Sequence, residues 1–258
     1  MALLPRSVSS RRWLMFRSFV PVLAVAALVV DPFALFAAES VSSDEEIRTK
    51  VERKLADKDL DEVQVQVKNR AVILHGTVPN AWVAKRAIDV ARDVDEADAV
   101  VSDMVVVGST TDDDTLAREV AERLGRYASY DVFDAAGVSV KDGVATLTGR
   151  VTSDYKRRDL EEAAARAPGV HSVVNRIQLL TPSPMDDALR IRVAEALYRD
   201  PVFTHYTAGG RPPIHVVVDH GHVRLVGTVS TELERRKAEA IVRSMPGAFT
   251  VTSELQVD

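Results

Sequence analysis

The chain contains no cysteine. That excludes disulfides, thiolate-ligated zinc, iron–sulfur clusters, a cysteine nucleophile and a lipidated N-terminal cysteine. Aromatic residues make up only 5% of the 258 positions, which argues against an aromatic-rich carbohydrate or single-strand nucleic-acid binder. Positive charge is not in excess either. With 33 Lys and Arg against 38 Asp and Glu, the formal charge is −5, so no nucleic-acid partner is expected. Gly-X-Ser-X-Gly, P-loop, His-Glu-X-X-His and Gly-X-Gly-X-X-Gly signatures are all missing, and with them the common routes to acyl transfer, phosphate chemistry, zinc hydrolysis and dinucleotide binding. No enzyme activity and no cofactor are therefore expected. What is present is 46% hydrophobic and 28% charged residues, enough to bury a core, in a length suited to between one and three domains.

Residues 1–38 differ from the rest. Arg6, Arg11, Arg12 and Arg17 come first without an acid among them, an apolar run follows to Val30, and small residues stand at Ala34, Ala37 and Ala38. This is the layout of a secretory signal peptide, with cleavage expected after Ala37. An uncleaved membrane anchor is the alternative, because counting from Ser18 through Asp31 to Ala38 gives 21 residues, enough for the ~20 of a span. Arg11-Arg12 also fits a twin-arginine signal, although an ordinary basic region explains it as well. Removing residues 1–37, with four Arg and one Asp, takes +3 from the formal charge and leaves −8.

The remainder is one unit written three times. Gly76-Thr77-Val78, Gly149-Arg150-Val151 and Gly227-Thr228-Val229 each end an apolar stretch, at spacings of 73 and 78 residues. Aliphatic stripes recur at the same offsets: Ile47, Val51, Leu55; Leu116, Val120, Leu124; Leu189, Val193, Leu197. A four-residue spacing puts each trio on one helix face. Acids at Asp44–Glu46, Asp112–Asp114 and Asp186-Asp187 suit the N-cap and first-turn positions of those helices. Two alternating strands follow, joined at Asn69-Arg70, Asp142-Gly143 and His220-Gly221, which read as tight hairpins. A second helix is expected after Asn80, Ser153 and Thr231, and a last strand at 99–107, 170–180 and 249–257. The order is α-β-β-α-β, giving an α+β fold of three small three-stranded sheets, each with two helices on one face. The copies span 43–108, 112–181 and 185–258. They differ most between first helix and first strand, where the third has its longest loop, 199–213.

A central Gly-X-Val followed by Pro-Gly, as in Pro168-Gly169-Val170 and Pro246-Gly247, inside α-β-β-α-β units behind a signal peptide, resembles the BON domain family of bacterial envelope proteins. The resemblance implies a non-enzymatic periplasmic protein that binds a phospholipid membrane surface and supports the envelope under osmotic or other stress. A scaffold docking on an envelope protein is the alternative. Oligomeric state is left open.

Candidate residues are weighed against plainer readings. Gly76, Gly149, Gly227, Gly169 and Gly247 are read as structural, at places where a side chain would clash. The start of the second helix carries Lys85, Arg86, Lys156, Arg157, Arg158, Arg235, Arg236 and Lys237, beside Trp82, Tyr155 and Leu233. A cation next to an apolar or aromatic residue suits a headgroup boundary, while a solvated helix face with local ion pairs is the plainer reading. His220-X-His222 sits across a turn without a partner carboxylate at ligand spacing, so no metal is expected. Gly209-Gly210-Arg211 precedes a strand and lacks the helix N-terminus that would bind an anion.

Overall fold

The computed structural model describes residues 32–107, 112–208 and 212–258. Most of the expected export segment (residues 1–31), the 108–111 link and Gly209-Gly210-Arg211 lie outside them. No helix of the described residues is long and apolar enough to cross a membrane. Residues 32–39, all helical, belong to a unit Met1–Glu39, and Ser40–Asp258 form a second compact unit.

The first repeat runs α1 (Pro32–Ala56), β1 (Gln64–Lys68), β2 (Ala71–Val78), α2 (Ala81–Arg92) and β3 (Ala99–Val106). The second has α3 (Asp113–Gly125), β4 (Ala135–Lys141), β5 (Val144–Val151), α4 (Asp154–Ala165), β6 (Ser172–Asn175) and β7 (Gln178–Leu179). The third has α5 (Pro184–Arg199), a 3-10 turn at Thr204–Thr207, β8 (Ile214–Asp219), β9 (His222–Val229), α6 (Glu232–Arg243) and β10 (Thr250–Val257). Each sheet is mixed. The Gly-X-Val strand is central, antiparallel to the strand before it and parallel to the strand after α2, α4 or α6. The three aliphatic stripes are buried under these sheets: Val51, Val120 and Val193 are each 0% exposed.

The hairpins turn as their residues require. Asn69 and Arg70, Asp142 and Gly143, and His220 and Gly221 all have positive φ, the condition for a two-residue turn that follows the strand twist. The central glycines all stand at positive φ. Gly149 has φ +110°, and a methyl group there would lie 1.9 Å from the Ala135 carbonyl oxygen. The corresponding distance at Gly227 is 1.8 Å from Pro213, but at Gly76 it is 3.3 Å from Glu62. Gly169 and Gly247 also adopt positive φ.

Four local expectations are corrected. First, α1 begins at Pro32 rather than near Asp44, since proline is tolerated in a first turn and alanine propagates a helix well. Second, of the acids expected at caps and first turns, Asp112 caps α3, accepting from the Thr115 N–H, and Asp113, Asp114, Asp186 and Asp187 stand in first turns as expected, whereas Asp44, Glu45 and Glu46 lie inside α1. Asp44, Asp113 and Asp186 also reach across to the hairpin turn. Each carboxylate accepts from both turn N–H groups: Asp44 from Asn69 (2.9 Å) and Arg70 (2.8 Å), Asp113 from Asp142 (2.8 Å) and Gly143 (3.2 Å), Asp186 from His220 and Gly221 (both 2.8 Å). Third, Ser153 precedes α4 without a side-chain cap bond, whereas Asn80 and Thr231 do cap. Fourth, the last strand of repeat two is broken between β6 and β7. There Asn175 Oδ1 accepts from the Ile177 N–H and its Nδ2 donates to Arg157 O and Glu161, so a side chain takes over at the break.

The repeats are packed, not strung as beads. Between the first and second, the Pro79-Asn80-Ala81 segment meets the Pro168-Gly169-Val170 turn. Ala81 N–H donates to Val170 O (2.8 Å), Gly169 N–H to Pro79 O (3.1 Å) and Asn80 Nδ2 to Arg166 O (3.1 Å). Between the second and third, outer sheet faces meet. Ala135, Leu180 and Val217 are buried together with Val226 against them, Arg150 pairs with Asp219 at 2.9 Å, and Val216 N–H donates to Val132 O.

Candidate functional site

The start of the second helix is built by the same three positions in each copy. The second helical residue is Trp82, Tyr155 or Leu233, the third Val83, Lys156 or Glu234, and the fifth Lys85, Arg158 or Arg236. Successive helical residues point about 100° apart, so the second and fifth share one face while the third faces the loop before the hairpin.

That third position decides the fate of Lys156, expected as a surface contact. It is buried at 5% exposure, and its ammonium donates to Asp131 (2.8 Å) and to the fully buried Asp134 (2.7 Å). Burial pushes its pKa down, but the two carboxylates outweigh burial and the net shift is upward. Asp134 in turn accepts from Thr152 and from the Asp131 N–H. In the third repeat Glu234 occupies this place, accepting from the Tyr206 hydroxyl (2.9 Å) and the Ser230 N–H (2.8 Å) and closing a capping box with Thr231. Burial pushes its carboxyl up, yet these donors hold it below its ordinary value. Tyr206 belongs to the long third-repeat loop, whose Phe203 is 0% exposed. That loop is packed into the core at Phe203 and tied down at Tyr206. In the first repeat, where the loop is shortest, apolar Val83 packs into the core.

Trp82 is also placed differently from expectation. Half-buried at the junction of the first two repeats, it donates from Nε1 to Glu162 (3.1 Å), and the Arg86 and Arg166 guanidinium groups lie 4.9 and 4.5 Å from its ring centre. Stacked cations and the indole bond make it an anchor between α2 and α4. Tyr155 and Leu233, by contrast, are 48% and 74% exposed.

The remaining cations are on the surface, each with a nearby acid. Lys85 pairs with Asp89 (2.7 Å), Arg157 and Arg158 with Asp154 (2.6 and 3.6 Å), Arg236 with Glu232 (3.0 Å) and Lys237 with Asp200 (3.1 Å). Arg235 reaches both Glu232 and Glu239, and hydrogen bonds from Arg235 and Arg236 pull the Glu232 pKa down to about 2. Lys85, Arg86 and Arg158 are brought together with Trp82 around one groove of about 350 Å³ between α2 and α4, shared with Asp89, Glu161 and Glu162. Arg235, Arg236 and Lys237 do not line it.

The third-repeat histidines do not converge. His220 Nδ1 lies 2.9 Å from Asp219, His222 Nδ1 lies 2.7 Å from the Thr250 hydroxyl, and the His205 ring lies tilted against that of Tyr206, centres 3.9 Å apart. Among the described residues, no group of three or more His, Asp or Glu side chains is placed to hold a metal. Sequence reasoning missed the turn-clamping aspartates, the Lys156–Asp134 pair and both repeat junctions. A signal for the first was present in the text, because an Asp stands three residues before every aliphatic stripe.

A comparison with curated proteins finds no match. Among solved structures, the C-terminal domain of CdsD, a structural protein of the Type III secretion system of Chlamydia trachomatis, aligns at 14% identity. The alignment covers 81% of this chain and 96% of that one, with a TM-score of 0.24. The periplasmic domain of the inner-membrane protein PrgH from S.typhimurium aligns at 13% identity over 79% and 97%, with a TM-score of 0.21. The BON domain matches three times, at residues 43–108, 112–181 and 186–258. Three mixed sheets, each built around a Gly-X-Val strand, are thus the product of three tandem BON domains, and the chain belongs to the BON domain family.

Proposed function

We propose that this chain is an exported, non-enzymatic envelope protein whose second helices meet the headgroup layer of a phospholipid membrane, supporting the envelope under osmotic or other stress. BON domains are generally non-catalytic, and the basic-then-apolar layout of residues 1–38 supports export to the periplasm, with inner-membrane anchoring if it is retained. The observation that carries the lipid reading is the exposure at the second-helix start. Lys85, Arg158 and Arg236 side chains are 70%, 70% and 74% exposed, and Tyr155 and Leu233 stand exposed three residues before the latter two. Exposed ion pairs are worth only ~0–1 kcal/mol, so each cation exchanges its carboxylate for a headgroup phosphate at little cost. A net negative chain gains no long-range attraction to anionic lipid, so binding is expected to be local and salt-sensitive.

The test is co-sedimentation with vesicles of phosphatidylglycerol and phosphatidylethanolamine. Binding should fall with added salt and drop at least tenfold in the chain carrying Lys85→Glu, Arg158→Glu and Arg236→Glu together. Unchanged binding by that variant removes these helices from the interface. A second reading, a scaffold docking on an envelope protein, is favoured by the free outer edges of β3 and β10, since an unpaired edge can take up another strand. Failure to bind vesicles at any salt, with capture of an envelope protein, would favour it.

A further inference from the structure

The groove between α2 and α4 holds one cation and one anion that ion pairing leaves over. Among the described residues, the Arg86 guanidinium makes no hydrogen bond or ion pair. It is half-buried and lies 4.9 Å from the centre of the Trp82 ring. Glu161, also half-buried, accepts from Asn175 Nδ2 at 3.0 Å and pairs with no cation among the described residues. Both line the same groove of about 350 Å³, a volume at the lower end of small-molecule sites, yet they do not pair with each other.

The matching positions elsewhere are satisfied. At the place of Arg86, the third repeat has Lys237, paired with Asp200 at 3.1 Å, and the second has Asp159, which accepts from the Tyr127 hydroxyl. At the place of Glu161, the third repeat has Glu239, paired with both Arg235 and Arg243, and the first has apolar Ile88. Opposite charges without ion-pair partners are thus particular to the α2–α4 junction. Arg86 is also held ready. Trp82 Nε1 donates to Glu162 at 3.1 Å, which fixes the ring beside the guanidinium. A guanidinium fork placed in this way loses little further freedom when it meets an oxyanion.

We propose that this groove binds a phosphodiester head that carries a primary ammonium, with the phosphate on the Arg86 guanidinium and the ammonium on the Glu161 carboxylate. For the source of that head the proposal rests on the lipid reading, which it narrows to an ethanolamine headgroup. A purely anionic head fits less well. Lys85, Arg86 and Arg158 are matched in the groove by Asp89, Glu161 and Glu162, so its charges sum to zero, and a chain of net charge −5 does not draw in anions from a distance. A quaternary ammonium fits less well too. It is held by open aromatic faces, and the Trp82 ring already has guanidinium groups at 4.9 and 4.5 Å. A primary ammonium instead brings N–H donors to a carboxylate.

The chain has two tryptophans, so Trp13→Phe leaves Trp82 as the one reporter in the full chain. Its emission is followed while glycerophosphoethanolamine or glycerophosphoglycerol, headgroups without acyl chains, is added. The ethanolamine head should bind more tightly by about fivefold or more. Arg86→Gln should weaken both by about tenfold, whereas Glu161→Gln should level the two without abolishing binding, each with an unchanged circular dichroism spectrum. Equal affinity for the two heads in the parent, no response to either, or full binding by Arg86→Gln overturns the proposal. So does a preference that survives Glu161→Gln. Vesicles separate this outcome from the fate of the lipid reading. Vesicle binding that is indifferent to ethanolamine lipid and to Arg86→Gln overturns the groove and leaves the lipid reading standing. Binding of the soluble head as described, without binding of vesicles at any salt, upholds the groove as a site for a free phosphodiester and removes the lipid reading.

Discussion

At Gly149 a methyl group would stand 1.9 Å from a backbone carbonyl oxygen, at a φ that L residues rarely adopt. Neither the carbonyl nor the strand that carries it can retreat without losing ladder bonds. Gly149→Ala is expected to cost about 3 kcal/mol, and Gly76→Ala, where the nearest atom is 3.3 Å away, about half as much. Urea unfolding followed by circular dichroism measures both. Equal costs would mean that φ alone, not the close approach, demands the glycine. Lys156 is the other residue whose environment overrides its type. Its charge is held by Asp131 and by the 0% exposed Asp134. Lys156→Met keeps the stem but strands a buried carboxylate, at an expected cost of about 3 kcal/mol. Because the ammonium's pKa is raised above 10.5 in the folded chain, its contribution is complete at neutral pH and is lost only as pH rises through that raised value. A Lys156→Met chain as stable as the parent at pH 7 would contradict the pairing.

Among the elements, the hairpin and the first helix of each repeat are joined by a single carboxylate. Helix and strands also meet through apolar packing, which is indifferent to small slides, and in the third repeat through Arg190 and Tyr198, which donate to the Val218 and Ile214 carbonyls, whereas two N–H groups in a turn bind a carboxylate in one register. Asp186 is the most buried of the three, at 4% exposure. Asp186→Ala leaves the His220 and Gly221 N–H groups without their acceptor, and a loss of about 2 kcal/mol is expected. Asp186→Asn, which keeps one acceptor oxygen, should recover part of it in the same denaturation experiment, and no recovery would point to charge rather than hydrogen-bond geometry. The element order and the hairpins were legible in the sequence because periodicity and turn chemistry are local. The role of these aspartates was not. An Asp in a helical first turn satisfies capping rules equally well, and only the fold brings a turn 25 to 35 residues away into reach.

For the whole molecule, the junction between repeats two and three carries a titratable group. His215 is half-buried beside Tyr130, its ring centre 5.2 Å away, and its Nδ1 lies 3.2 Å from the Asp131 carbonyl oxygen. That oxygen only accepts, so Nδ1 carries the proton of the neutral ring. Burial lowers the His215 pKa below 6.5, outweighing the carbonyl and the charges of Asp134 and Asp131. With a depressed folded pKa, the unfolded chain binds the proton first. Stability is therefore present above pH 6.5 and falls as pH drops below it. The melting temperature of the parent chain should fall more between pH 7 and pH 5 than that of His215→Gln, which shares every other carboxylate. Parallel curves would remove His215 from the pH response.

By itself the sequence determined the repeat, the α-β-β-α-β order, the register-setting glycines and the hairpin turns. Each of these depends on spacing or on a backbone angle that few residues can adopt, and both are written locally. Only the tertiary structure decided which cations are surface and which is core, that Trp82 serves a junction, and that two of the three sheet faces cover each other. Those outcomes depend on residues 22 to 86 positions apart meeting in space. A lysine one helical position from a surface arginine reads identically in sequence and differs only in what the neighbouring loop places against it.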